Sequence, residues 1–243
     1  MAKGVQAALA VQLVVLGFDP DPTVAPARAL HVVTLGGALP SADVDARETV
    51  AAAGQRLLAA IGTGADVRGR RRTATPILVG LGDEPGARAR TLVVRYLATA
   101  AYGELSGAGA GWSAVGRGLR LGADDQAAVR SAVERLRSDA HSVAGAAGLL
   151  GDVFTGDDLL RVLTALHGAP ESSERTFRRR VQELRDAGVL RPVRDVEVAA
   201  LRERFARFRS PAGTGGRPPE LLRYSGNGGE RESLTTLRAR RTA

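Results

Sequence analysis

Apolar and polar positions alternate along this chain with two different periods, and the change from one to the other maps its elements. Gln6 to Phe18 is rich in Val and Leu with partial alternation, and Leu30 to Leu35 is a second short run of the same kind. Both predict strands, and the loop chemistry of Asp19 to Pro26 between them predicts a hairpin or meander. After Gly36-Gly37 the period lengthens. Glu48 to Ile61 carries Val50, Ala53, Leu57, Leu58 and Ile61 near helical spacing, with Gly62 and Gly64 as a stop, so a helix is expected there. Arg68 to Arg72 is a basic run of the kind that solvated loops carry. Pro76 to Leu81 and Thr91 to Ala98 read as strands, and Gly82 to Gly86 supplies turn residues between them. The front half is therefore mixed α and β.

Gly103 to Gly118 is rich in Gly and Ala around the sole tryptophan, Trp112, and reads as a loop. A helix is expected from about Asp124 to Ser138. Its narrow stripe of Val129, Val133 and Leu136 suits docking against a domain or against a second copy of the chain. Beyond Gly145 the pattern is one of short helices. Thr155 is a good N-cap with Asp158 at the third helical position, and Phe154 and Leu159 are spaced as a hydrophobic staple. That helix buries Leu159, Leu163 and Leu166 and stops at Gly168 and Pro170. Ser172 or Ser173 then caps a second helix with a Phe177, Val181 and Leu184 stripe, ended by Gly188. Two capped helices joined by a tight Gly/Pro turn outline a helix-turn-helix. Val189 to Val193 and Leu221 to Tyr224 are placed to form the two strands of a wing, and the polar tail after Ser225 is expected to be flexible.

Composition removes whole classes of function. The 243 residues are 44% hydrophobic and 25% charged, ordinary values for a folded chain. There is no cysteine, and His31, His141 and His167 are scattered, so disulfides and thiolate or zinc-type sites are not expected. The longest apolar stretch, Ala8 to Phe18, is too short for a membrane span and is followed by no small-residue cleavage site, so a cytoplasmic protein is expected. Charge is uneven. Residues 1 to 170 hold 17 Lys+Arg against 16 Asp+Glu, whereas 171 to 243 hold 17 Arg against 10 acids. A near-neutral front and a basic back assign polyanion contacts to the back. A general bias toward Arg, 33 against one Lys, explains the choice of Arg but not the asymmetry.

One motif is present in emptied form. Residues 42 to 64 resemble a Nudix box, whose pattern runs G, five residues, E, seven residues, R-E-apolar-x-E-E-x-G-apolar. Glu48, Arg56 and Leu58 match it, while the places of the three metal-holding glutamates are Leu57, Ala60 and Ile61. None offers the side-chain oxygen that a hard cation needs, so no metal and no catalytic residue is expected at the box. On its own, the Glu48 and Arg56 match also fits chance on an ordinary amphipathic helix.

The rest of the chain extends the likeness. Leu39-Pro40 ahead of the box, Leu81 to Pro85 with Arg90 and a Val-rich strand ending at Tyr96, Phe154-Thr155 opening a helix, Arg175 to Arg179, and Gly216-Arg217-Pro218 before Leu222-Arg223-Tyr224 are similar in order and spacing to the Nudix-related transcriptional regulators, the NrtR family. That resemblance implies an α+β chain: a Nudix-like α/β/α sandwich over 1–145, for ligand sensing and dimerisation, then a winged helix-turn-helix over 146–243. It implies a homodimeric DNA-binding regulator, typically a repressor of NAD or related nucleotide metabolism, controlled by a nucleotide-type effector such as ADP-ribose, with no cofactor and no membrane. Glu48, Arg56, Arg88 and Arg90 are the ligand-binding candidates. Two features depart from the family. Leu35 runs through Gly36-Gly37-Ala38 straight into Leu39-Pro40, omitting a longer basic loop that contributes to the ligand pocket, so the effector's identity stays open. The wing also holds an insertion near 196–209 with a Val198, Leu201, Phe205 and Phe208 stripe among arginines. It is either a local helix with a solvated basic face or an element that packs on the helix-turn-helix, the DNA backbone or a second subunit.

The second helix carries the candidate reading face. At about 100° per residue, burying Phe177, Val181 and Leu184 turns Arg175, Arg179 and Gln182 outward with Thr176 at a shoulder. Arg pairs with guanine O6 and N7 and Gln with adenine N6 and N7, while Arg178 and Arg180 on the flanks suit phosphates. Arg217 and Arg223 of the wing complete the DNA-binding candidates. A Nudix pyrophosphatase acting on ADP-ribose, and a non-catalytic Nudix-like adaptor for a partner protein, are the alternatives.

Overall fold

Every residue from Ala10 to Phe18 is buried, which is what a strand covered on both faces requires and why its alternation is only partial. The computed structural model describes residues 8–62, 77–85, 90–103, 107–139, 142–168, 173–204 and 218–226. The expectations for Arg68 to Arg72, Phe205, Phe208, Arg217 and the tail beyond 226 lie outside them. The chain divides into two compact units, residues 1–17 with 30–135, and residues 18–29 with 136–243.

The first unit is built on a six-stranded sheet in the order β4-β5-β1-β2-β6, with β3 paired to β1 off that path. Its strands are β1 (Ala8–Phe18), β2 (Leu30–Leu35), β3 (Ser41–Asp43), β4 (Ile77–Pro85), β5 (Arg90–Thr99) and β6 (Ala110–Ala114). β1 and β5 are parallel, while β4 with β5, β2 with β6 and β3 with β1 are antiparallel. Helix α1 (Val50–Ile61) starts at Thr49, whose hydroxyl accepts from Ala52 N, and ends at Gly62, whose φ of 68° is left-handed. Alternation sends Val11, Leu13 and Val15 to one face, where they join Val33, Ala98 and the α1 residues Ala53, Leu57, Leu58 and Ile61 in one core. Gln12 points the other way. Its amide donates to Asp125 Oδ1 at 2.8 Å, on helix α2 (Ala123–Asp139), and accepts from Arg95 Nε at 2.9 Å. Asp125 Oδ2 in turn accepts from Leu39 N at 3.0 Å. Helices on opposite faces of the sheet make the expected α/β/α sandwich, and this hydrogen-bonded chain satisfies a Gln side chain that is only 5% exposed.

Two expectations need correction here, and of two alternatives for a third element one falls away. β4 does not stop at Leu81 but runs through Pro85, because the supposed turn residues pair with β5, Gly82 opposite Val93 and Pro85 opposite Arg90. The loop around Trp112 contains a strand, β6, whose pairing with β2 (Trp112 opposite Val33) overrides the weak strand propensity of Ala-Gly-Trp-Ser-Ala. The α2 stripe is also not free for a second copy: Val129, Val133 and Leu136 are all buried within this chain, at 3, 8 and 2% exposure.

The second unit contains α3 (Val143–Leu150), α4 (Gly156–His167), α5 (Glu174–Asp186), α6 (Asp195–Arg204) and a two-stranded sheet of β7 (Leu190–Pro192) and β8 (Leu222–Tyr224). Ser142 caps α3, and α4 opens on a full capping box: Thr155 Oγ1 accepts from Asp158 N, and Asp158 Oδ2 accepts from Thr155 N. Phe154 and Leu159 are fully buried at the staple positions. Ser173 caps α5. The inserted helix packs against its own unit, since Leu201 is buried in a cluster with Val153, Val193 and Leu221, and Val198 lies against it. Segment 18–29 belongs to this unit as well. Arg161 of α4 donates to the carbonyl oxygens of Pro20, Asp21 and Val24, and its guanidinium carbon lies 5.6 Å from the centre of the Phe18 ring.

Candidate functional site

The box helix places its matching residues together. Glu48 sits in the turn before α1, where its N–H donates to Asp45 O, and Arg56 lies on the helix surface. Arg56 Nε and Nη2 reach the two Glu48 oxygens at 3.1 and 2.9 Å, and Nη2 also donates to Asp43 O at 3.0 Å. This two-pronged pair holds the Glu48 carboxyl below its ordinary value and raises Arg56, in each case chiefly through the hydrogen bond to the other. The pair closes the loop from β3 onto α1.

The three altered box positions do not form a cation site. Leu57 and Ile61 point into the core at 7 and 2% exposure, whereas Ala60 faces solvent. The helix end is sealed by backbone: Gly107 N donates to Ile61 O at 2.9 Å, and a Cβ at Gly107 would stand 2.5 Å from Ala60 O. The metal that the box implies elsewhere is therefore not fitted by these residues. Among the described residues no group of three or more His, Asp or Glu is placed to hold an ion. Of the other ligand candidates, Arg88 lies outside the described residues, and Arg90 opens β5 with its side chain outside them.

The second unit gathers its candidates on α5. Phe177 and Leu184 are buried and Val181 is half-buried, so Arg175, Arg178, Arg179 and Gln182 face solvent. Val181 Cγ1 would lie 3.8 Å from a Cβ on Gly156, the residue that opens α4, so α5 seats against the start of its partner helix. Arg178 pairs with Glu174 and Arg179 with Glu183, each arginine 68% exposed. Gln182 donates to Asp186 and accepts from Arg185. Among the described residues, Arg175 is the α5 arginine with no carboxylate partner. Exposed pairs of this kind are worth little and exchange readily for another anion.

Three candidates are placed otherwise. The Arg180 side chain is only 18% exposed and is held by Glu183 at 2.9 Å, so it lies off the outward face. The Thr176 hydroxyl is 2.9 Å from Ser173 Oγ and belongs to the cap. Arg223, on β8, is engaged inside the unit: Nε meets Asp152 Oδ2 at 3.0 Å and Nη1 meets Glu197 Oε2 at 2.7 Å.

No protein-family profile matches the sequence, and no curated protein does either. Solved structures do match. NrtR of Shewanella oneidensis in complex with a 27mer DNA aligns with 89% of this chain and 93% of its own, at a TM-score of 0.64 and 20% identity. The same protein without DNA aligns with 93% of this chain and 96% of its own, at 0.63 and 19%. A MutT/nudix family protein from Enterococcus faecalis aligns with 92% and 88%, at 0.56 and 14%. The chain has the fold of a Nudix domain joined to a helix-turn-helix. At such identities the likeness carries the fold alone, so the chemistry rests on the residues described above.

Sequence reasoning missed Arg161, Asp152 and Glu197, whose partners lie far along the chain or in the insertion. It also missed the ring cluster of His31, Tyr102 and Trp112, with centroids 4.5 and 5.5 Å apart in turn. The only available signal for Glu197 was its place in the first turn of α6, which N-terminal charge stabilisation explains equally well, and Asp152, just past the end of α3, carried none.

Proposed function

We propose that the chain is a DNA-binding transcriptional regulator, acting as a repressor, in which α5 reads a duplex and the Nudix-fold unit binds a nucleotide-type effector such as ADP-ribose without hydrolysing it. One observation carries the reading. A doubly capped helix pair with a two-stranded wing presents Arg175, Arg178, Arg179 and Gln182 on one outward face. An α-helix fits the major groove, and these side chains are able to pair with base edges and phosphates there. Arg175, Arg178, Arg179 and Gln182 are retained as DNA contacts, while Thr176, Arg180 and Arg223 are withdrawn. The DNA-bound Shewanella NrtR supports this reading through its shared fold.

The non-hydrolytic part rests on Leu57, Ala60 and Ile61 in place of ligating acids. The ADP-ribose part rests on the family resemblance of the sequence. A cytoplasmic homodimer is proposed on the logic of paired half-sites, because two recognition helices one turn of DNA apart read a two-fold operator. The test is to select duplexes from a random pool with the full chain, then repeat with the Arg175, Arg178, Arg179 and Gln182 positions all changed to Ala. Enrichment of a sequence class by the native chain alone supports the reading. Equal enrichment by both, or Mg²⁺-dependent cleavage of ADP-ribose, counts against it.

A further inference from the structure

We infer that Arg223 is a positioning residue, which locks the wing to the segment leading into α4 and to the inserted helix α6, and makes no contact with DNA. The inference rests on the DNA-binding reading only for its effect on affinity; the lock itself stands on geometry. All three guanidinium nitrogens are accounted for. Nε is bound to Asp152 and Nη1 to Glu197, while Nη2 is shut off from solvent with no acceptor among the described residues. A phosphate clamp needs an open edge of the guanidinium, and none remains. The three side chains are only 20, 25 and 21% exposed.

The backbone closes the same joint. β8 pairs with β7 on one side, and Leu222 exchanges both hydrogen bonds with Phe154, Leu222 N to Phe154 O at 2.8 Å and Phe154 N to Leu222 O at 3.1 Å. Phe154 immediately precedes the Thr155 cap, so the wing strand is fastened at the start of the helix on which α5 seats. Arg191 stands directly opposite Arg223 across the β7–β8 pair. Two like charges there repel, and Asp152 and Glu197 convert the cluster to near neutrality. Glu197 is shared with Arg194, and hydrogen bonds from Arg194 and Arg223 lower its carboxyl to about 2. Strand, helix start and insertion therefore meet at one side chain.

The test uses the full chain and two readouts. Amide exchange is followed at β7 and β8 without DNA, and binding to a duplex selected by the native chain is titrated over several salt concentrations. Arg223→Gln, Asp152→Asn and Glu197→Gln should each speed exchange in the wing while leaving α5 unchanged. Each should weaken binding by ~10-fold, the effect of a lost charged hydrogen bond, with an unaltered slope of log affinity against log salt. Arg223→Lys should not rescue, since an ammonium cannot bridge both carboxylates in the plane of a guanidinium. The double variant R223Q/E197Q should bind no worse than R223Q. A salt slope shallower by ~0.9 in R223Q, with E197Q binding as tightly as the native chain, would make Arg223 a phosphate contact and overturn the inference. Unchanged wing exchange in R223Q would overturn it too. If the native chain selects no duplex, the DNA reading fails, and exchange still decides the lock. Should R223Q not fold, Glu197→Gln carries both readouts.

Discussion

Helices α1 and α5 are of nearly equal length, 12 and 13 residues, and both begin at a hydroxyl cap, yet they put their side chains to opposite use. α1 buries Ala53, Gly54, Leu57, Leu58 and Ile61, and its one charged group, Arg56, is spent on Glu48. α5 buries only Phe177 and Leu184 and leaves Arg178 and Arg179 in exposed pairs with acids of the same helix. A helix with core residues at two of its three altered box positions, Leu57 and Ile61, is held by packing. A helix anchored by two large apolar residues leaves its polar face open to solvent. Resemblance to a catalytic motif and presence of its chemistry are thus separable once residue type and burial are read position by position.

The strongest way to break this contrast is to restore an acid to the box. Leu57→Glu puts a carboxylate at a 7% exposed core position and should cost on the order of 3–5 kcal/mol in urea unfolding at pH 7. Ala60→Glu, at an exposed site of the same helix, should stay within ~0.5 kcal/mol. Equal tolerance of both would mean that the Leu57 face of α1 is not core. On the other side of the contrast, Arg161 is an arginine that is spent inside its unit. Arg161→Ala removes three hydrogen bonds to carbonyls and the contact with Phe18, and ~1.5–3 kcal/mol should be lost, with faster amide exchange over 18–29.

Much of the second unit was legible because its signals are local. Thr155 with Asp158, Ser173 with Thr176, and Gly168 and Gly188 with φ of 87° and 74° mark where helices start and stop. The β7 and β8 strands were read for the same reason. β6 and the second half of β4 were not legible, because their strand state comes from partners β2 and β5 rather than from their own Gly-rich sequence. The joining of 18–29 to α4 depends on a contact about 140 residues away in sequence, and the part played by Arg223 depends on Asp152 and Glu197, 71 and 26 residues away. A basic residue in a basic wing looks like a DNA contact until its partners are seen. The Glu48 and Arg56 match was visible, but only the structure shows the two as a closed pair rather than an open ligand surface.

Smaller effects sharpen the account. Thr155→Ala should cost ~1 kcal/mol by opening the capping box, measured by thermal unfolding, and should leave α1 amides unaffected. The acid limb of stability should respond to Glu197. Its folded value lies below the ordinary 4.5, at about 2. It therefore contributes stability that is complete above about 4.5 and is lost as pH falls toward about 2. Glu197→Gln should flatten the stability curve in that window and leave it unchanged in shape near neutrality.

On the reading proposed above, the outward face of α5 reads sequence while α1 builds the sandwich. The most direct measurement compares Arg179→Ala and Arg178→Ala in the full chain, on a duplex selected by the native chain and on its scrambled counterpart, across a salt series. Arg179→Ala should cost ~1–3 kcal/mol on the selected duplex and flatten discrimination. Arg178→Ala should weaken both duplexes alike and make the salt slope shallower by ~0.9. If both variants keep full discrimination and lose only salt-dependent affinity, α5 is not the reading element and the account is contradicted.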